Sequence, residues 1–297
     1  MSAKVLKISA EKHEGDIMSV AFNNGYVFTG GADGQIKVWN SEVVLQNTLD
    51  FGDYVFSIVV TPVNKVYASS SDGSVKFCED PIKSNTVEDL LRCDDVILAM
   101  VFVDGHLYTG DEKGVVTKWK NDKIVFKYNL VEEVKTLGIQ NNSIYTARDL
   151  DVVISEILPG KSGRYTTKGV MPGKSPLALV GPTKDGSKEF LVFADRSGKG
   201  LAMVNNLPGQ NFLPLWTVED LHEMIVNGIC GSERLIFSGG YDGKVKCLTN
   251  INEKNPQVVG EADIGSCVNG ICIGEKENIV YVGSSDGILR KVVVGGK

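Results

Sequence analysis

The sequence predicts an all-β protein, a seven-bladed β-propeller whose ring is closed by an N-terminal strand pairing with the last blade. Three observations predict it. A four-residue unit, apolar, any, small, apolar, recurs seven times. Each copy is followed by an apolar strand and then by a tight turn, usually Asp-Gly. The copies are spaced by about 42 residues, so seven of them consume the chain and leave no room for a second domain.

The first unit reads Ile17-Met18-Ser19-Val20, Val55-Phe56-Ser57-Ile58, Ile97-Leu98-Ala99-Met100, Val134-Lys135-Thr136-Leu137, Pro176-Leu177-Ala178-Leu179, Val226-Asn227-Gly228-Ile229 and Val268-Asn269-Gly270-Ile271. Its third place is always small. Sheets arranged radially crowd their innermost strands around an axis, where a large side chain would strike its neighbour, whereas a linear solenoid imposes no such limit. The second unit follows as VFTGG from Val27, VYASS from Val66, LYTGD from Leu107, IYTAR from Ile144, LVFAD from Leu191, IFSGG from Ile236 and VYVGS from Val280. The turn comes next: Asp33-Gly34, Asp72-Gly73, Asp242-Gly243 and Asp286-Gly287, with Lys113-Gly114 and Ser197-Gly198 as variants and Asp149-Leu150 as the weakest. Asp-Gly between alternating apolar residues is a strong hairpin signal, because Gly supplies positive φ and Asp holds the turn through its side chain. A third strand alternates, as in Gln35-Ile36-Lys37-Val38-Trp39, and a looser fourth includes Val43-Val44-Leu45 or Lys123 to Tyr128.

One four-stranded meander cannot bury both faces, so the repeats must pack on one another, and closing the ring protects their edges. The last repeat supplies three strands, at 267–273, 279–283 and 288–294, and then the chain stops. The alternating segment Val5-Leu6-Lys7-Ile8 precedes the first repeat and is expected to provide the missing fourth. The reading is a single domain over 1–297, with repeats beginning near 13, 52, 94, 132, 174, 223 and 265.

Net charge is −6, from 31 Lys and Arg against 37 Asp and Glu, which argues against nucleic acid as the main partner. No apolar run approaches the roughly 18 residues of a membrane span, so no membrane insertion is expected. Six Cys contain no C-x-x-C, and the N-terminus lacks the apolar core of a secretion signal, so a cytoplasmic or nuclear location is expected.

The first repeat, with His13, Thr29, Asp33 and Trp39 around GGADGQIKVWN, resembles a WD40 repeat, and the whole chain resembles a seven-bladed WD40 propeller. The resemblance implies that those four residues form a hydrogen-bonded structural set tying the outer loop to the tight turn. Only the first repeat keeps all four; Thr109 and Trp119 survive in the third, while Cys78, Leu248 and Val292 take the Trp place elsewhere. No repeat ends in Trp-Asp, and the fourth and fifth diverge most.

Signals for catalysis are poor. His13, His106 and His222 are too far apart to suggest a shared metal; His106 reads as a turn residue and His222 as a relic of the structural histidine in the sixth repeat. The Gly-rich turns lack the order of a phosphate loop. No catalytic residue, metal or cofactor is implied. A Phe-Arg-Arg-Gly phosphoinositide signature and a Trp-Asp-x-Arg ending are both missing. The alternative, a propeller hydrolase or lactonase, needs several carboxylates and a metal in the central channel, and only Asp16 and Glu133 stand near such places.

The expected function is a non-enzymatic scaffold holding a protein or peptide, with a place in a larger assembly. In the WD40 family the narrow top face commonly receives peptides, and register places three residues of each repeat there. Those that stand out are Met18, Tyr54, Phe56, Val96 and Leu98 as an apolar patch, Lys135, Arg148 and Arg196 as a basic sector selecting an acidic or phosphorylated neighbour, and Tyr241. For the seventh repeat the same register names Ser266, Asn269 and Ser285.

Overall fold

A computed structural model describes residues 2–93, 95–160, 163–182 and 187–295; residue 94, where the third repeat is expected to begin, lies outside them. The described residues form 28 strands in seven four-stranded sheets. Strand β1 is Ser2–Ile8. Blade one is β2 Ile17–Asn23, β3 Tyr26–Gly31, β4 Gln35–Asn40 and β5 Leu45–Asp50; blade two is β6 Val55–Val60, β7 Val66–Ser70, β8 Ser74–Cys78 and β9 Glu88–Arg92. Blade three is β10 Ile97–Val103, β11 His106–Asp111, β12 Val115–Lys120 and β13 Lys123–Asn129; blade four is β14 Leu137–Gln140, β15 Ser143–Ala147, β16 Asp151–Ile157 and β17 Tyr165–Pro172. Blade five is β18 Lys174–Pro182, β19 Lys188–Ala194, β20 Leu201–Asn205 and β21 Pro214–Val218; blade six is β22 Val226–Gly231, β23 Ile236–Gly240, β24 Lys244–Thr249 and β25 Gln257–Asp263. Blade seven is β26 Val268–Ile273, β27 Ile279–Ser284 and β28 Leu289–Gly295, completed by β1.

The first strands of successive blades adjoin all the way round, ending with β26 against β2, so these strands line the axis. The compact places press on the next blade. The Ser19 hydroxyl accepts the Ile58 N–H at 3.2 Å, and the Thr136 hydroxyl accepts the Leu177 N–H at 3.4 Å. A Cβ on Gly228 would stand 2.8 Å from Cγ2 of Ile271, and one on Gly270 would stand 3.2 Å from the backbone nitrogen of Val20. Ser19, Ser57, Ala99, Thr136, Gly228 and Gly270 are all at least half-buried.

Blade five departs from the expected register. Leu177 lies opposite Phe193 and Ala178 opposite Val192, the places that Val20 and Ala21 hold in blade one. Ala178 is therefore not the compact hub residue; the residue before the paired Leu177 is Pro176, and Ser175 and Pro176 bulge out after Lys174.

Cohesion comes from seven clusters of buried apolar side chains, each drawn from two adjacent blades. Blades one and two, for example, bury Phe28, Ile36, Val38, Leu49 and Phe51 against Val55, Val66 and Cys78. At roughly 25 cal/mol per Å² of apolar area, this packing outweighs any single polar contact. Ring closure is as expected: β1 pairs antiparallel with β28, Val5 opposite Val292. One expectation is corrected in the fourth strands. Val43 and Val44 belong to the turn before β5, and Val43 has a φ of 64°.

The turn glycine faces two demands at once. Gly287 has a φ of 77°, and a Cβ there would strike the His13 carbonyl of the loop crossing into blade one. A second periodic contact also ties blade to blade. The second place of the VFTGG-like unit is Tyr in blades two, three, four and seven, and in blades two, four and seven its hydroxyl reaches the turn between the third and fourth strands of the next blade. Tyr67 donates to Asp122 (2.6 Å), Tyr145 to Asn206 (2.9 Å), and Tyr281 to the Ser41 carbonyl (2.8 Å).

Candidate functional site

In five blades a backbone irregularity turns one side chain out of the ladder of the first strand. In blade one, Ile17 lies opposite Gly31 and Ser19 opposite Gly30, so Met18 is an extra residue bulged out between them. The same bulge carries Phe56, Leu98, Asn227 and Asn269. A bulge re-aims the extra side chain away from the ladder. One residue before each of these strands, the carbonyls of Asp16, Tyr54, Val96, Ile225 and Cys267 accept the N–H of the turn residues Ala32, Ser71, Glu112, Tyr241 and Ser285 at 2.8 to 3.0 Å. This pairing places Cys267, not Ser266, at the seventh rim position. In blade five, Leu177 is buried in the ladder and does not face the mouth.

Met18, Tyr54 and Phe56 come together. The Tyr54 hydroxyl donates to the Met18 sulfur at 2.9 Å, and its ring lies 4.8 Å from that of Phe56. Burial, then the charge of Asp16 and then Tyr241, hold the Tyr54 phenol above its ordinary range. All three, with Val96 and Leu98, are half-buried. A second apolar group stands out more at blade six, where Met224, Ile225 and Tyr241 are 52%, 49% and 40% exposed. The sequence reading singled out only Tyr241 of these.

The three cations are not a free basic sector. Lys135 pairs with Glu133 at 2.9 Å, Arg148 with Glu132 at 3.2 Å, and Arg196 with Asp151 at 3.2 Å. Glu132, Glu133, Lys135, Arg148, Asp149 and Lys174 line one cleft of about 550 Å³, in which acids and bases balance. Among the described residues, no three His, Cys, Asp or Glu side chains converge as metal ligands.

Below the rim, polar sets hold the turns. In blade one, His13 Nδ1 lies 2.9 Å from Asp33, its Nε2 accepts from the Thr29 hydroxyl at 2.8 Å, and Trp39 Nε1 donates to that hydroxyl at 2.9 Å. Burial pushes the Asp33 carboxyl up, but the His13 ring and the Glu14 and Gln35 N–H groups more than reverse this and hold it below the carboxylate range. Blade six repeats three of the four, with His222 bridging Asp242 (3.0 Å) and Ser238 (2.8 Å) beside Leu248. His222 is thus a working member of a set and not a relic. In blade seven Arg290 replaces the histidine, reaching Ser284 at 2.6 Å and Asp286 at 2.5 Å.

Blades three and five have no histidine in the loop before their first strand, and their aspartate moves. Gly31 and Gly240 leave room for the ring, since a Cβ at either would collide with both histidine and aspartate. In these two blades the same place holds Asp111 or Asp195, whose carboxylate caps the turn from the strand end: Val115 N–H at 2.7 Å and Gly198 N–H at 2.9 Å. Thr109, Asp111 and Trp119 then line a cleft of about 720 Å³ beside blade two. His106 opens β11, half-buried, with Nδ1 2.7 Å from the Asp104 carbonyl; the turn itself is Asp104-Gly105.

The family model for the WD domain, G-beta repeat (WD40), matches residues 5–40, the stretch that holds the complete four-residue set. The fold is that of a seven-bladed WD40 propeller. The chain is similar to the WD40 β-propeller domain of Doa1, with a TM-score of 0.77 and 16% identity over 99% of this chain and 97% of that one. It is also similar to the computationally designed Ika8 protein, with a TM-score of 0.68 and 20% identity over 96% and 98% of the two chains. No curated protein matches the sequence. WD40 propellers typically mediate protein interactions, and no helix of the described residues is long and apolar enough to cross a membrane.

Proposed function

We propose that this propeller is a non-enzymatic scaffold in the cytosol or nucleus, holding a peptide segment of a protein partner across the narrow face at its channel mouth. The observation that carries the reading is the row of bulges that turns Met18, Phe56 and Leu98 out of their ladders beside Tyr54 and Val96. Polar side chains at those places would satisfy the fold equally well, so an apolar and aromatic cluster at the rim marks a contact surface. Met224, Ile225 and Tyr241 extend it at blade six. The free thiols of Cys78, Cys230, Cys247, Cys267 and Cys272 suit a reducing compartment.

The pairing of Lys135, Arg148 and Arg196 with carboxylates removes the support for selection of an acidic or phosphorylated neighbour. The hydrolase alternative has little to work with, since Glu133 is tied to Lys135. Affinity capture from native lysate with wild type, Phe56→Asp and Tyr54→Ala tests the reading. Val63→Asp, at a residue 79% exposed in the loop between β6 and β7, serves as control. Loss of bound protein with the first two but not the third is expected; retention with both rim variants, folded by circular dichroism, would show that the patch is packing.

A further inference from the structure

The charge at the channel mouth says more about the peptide. Asp16 directly precedes the buried Ile17, and its charge reaches the Tyr54 phenol beside Met18. Its carboxylate accepts the Asn269 amide at 3.3 Å, and the Asn269 carbonyl oxygen in turn accepts the Asn227 amide at 3.3 Å. The donors of this relay, crossing blades six, seven and one, point toward Asp16. No Lys, Arg or His lies within 4.0 Å of Asp16 among the described residues, whereas the rim cations Lys135, Arg148 and Arg196 each have a carboxylate partner. An anionic side chain at the mouth would therefore meet a negative charge and find those cations already paired.

Resting on the top-face reading above, we propose that the mouth accepts a positively charged peptide side chain, lysine or arginine, with its head on Asp16 and its stem along Met18, Tyr54 and Phe56. Such side chains lay apolar stems on apolar walls while the charged end stays polar, and a cation over an aromatic face adds further attraction. The Tyr54–Phe56 ring pair, held by the hydroxyl-to-sulfur contact with Met18, supplies such a wall.

The test uses fluorescein-labelled peptides Gly-Ser-Ala-Leu-X-Leu-Ala-Ser, with X arginine, lysine, norleucine, glutamate or phosphoserine, titrated against the full chain by anisotropy. The arginine or lysine peptide is expected to bind tightest, with an affinity that falls as salt rises. Asp16→Asn, which keeps the size and the Asn269 contact, is expected to cost those two about tenfold while leaving the norleucine peptide unchanged. A glutamate or phosphoserine peptide that binds as well as arginine, an Asp16→Asn protein with the arginine preference intact, or no binding of any peptide up to about 1 mM overturns the proposal. Peptides that bind regardless of X but are lost with Phe56→Asp overturn the cation while leaving the top-face reading standing.

Discussion

Replacing Thr29 by valine keeps the shape of the side chain and removes one oxygen, and the structure says what that oxygen is worth. Thr29 and Trp39 are 0% exposed and His13 is 1% exposed. The hydroxyl serves two partners, accepting from Trp39 Nε1 and donating to His13 Nε2. Valine leaves both without a partner and without access to water, and each orphaned buried group costs about 1–3 kcal/mol, so Thr29→Val is expected to lose about 2–6 kcal/mol. Blade six provides the internal comparison. Ser238 serves only His222, because Leu248 stands where Trp39 does, so Ser238→Ala orphans one group and is expected to lose about 1–3 kcal/mol. Thr29→Ser keeps the oxygen and gives up a methyl, worth about 0.8 kcal/mol. Equilibrium unfolding in urea, followed by far-ultraviolet circular dichroism and tryptophan emission, measures all three. The reasoning is refuted if Thr29→Val costs no more than Ser238→Ala, or if Thr29→Ser costs as much as Thr29→Val.

Removing residues 2–8 uncovers the β28 edge, so a lower unfolding temperature and a tendency to associate are expected by calorimetry and light scattering; an unchanged midpoint would mean that the ring holds without β1. Tyr281→Phe breaks the contact from blade seven to Ser41 and Glu275 and should cost about 1–2 kcal/mol in the same urea assay, whereas the mid-strand phenyl of Phe28 has no hydroxyl to lose. Burial, opposed by Asp242, holds the His222 imidazole below its ordinary value of 6.5, so the folded state carries it neutral. The unfolded chain then binds the extra proton, and stability is full above about pH 6.5 and declines as pH falls below it; His222→Gln should flatten that part of a melting-temperature profile. Burial raises the Asp111 carboxyl while Asp33 is held low, so Asp111→Asn should be neutral or stabilising at pH 7 and Asp33→Asn destabilising by about 1–2 kcal/mol. The opposite ranking in urea midpoints would contradict that assignment.

The channel mouth was partly legible beforehand. Spacing from the small residue picked out Met18, Phe56 and Leu98 for the rim, and the strand pairing shows each of them as a bulged residue. The periodic pattern carried the position but not the cause, because a bulge is a mismatch between two strands and only their pairing reveals it. The shift in blade five hid for the same reason: Pro176-Leu177-Ala178-Leu179 satisfies the apolar and small pattern, yet Phe193 fixes Leu177 as its partner. One clue was available. Asp111 and Asp195 stand where Gly31 and Gly240 do in the two repeats with a structural histidine, while Ser70, Arg148 and Ser284 hold that place in the other three.

Periodicity alone determined the number of blades, the compact hub residues of six of them, the glycine turns and the strand that closes the ring. These depend on hydrogen bonding and steric fit between segments close in the chain, repeated at a constant interval. Tertiary structure decided the rest: that Arg290 takes a histidine's part, that tyrosines latch onto the following blade, that Lys135, Arg148 and Arg196 are neutralised while Asp16 is not. Those outcomes join side chains from different turns or blades, and a charge or hydroxyl is committed only when folding brings its partner within hydrogen-bonding distance.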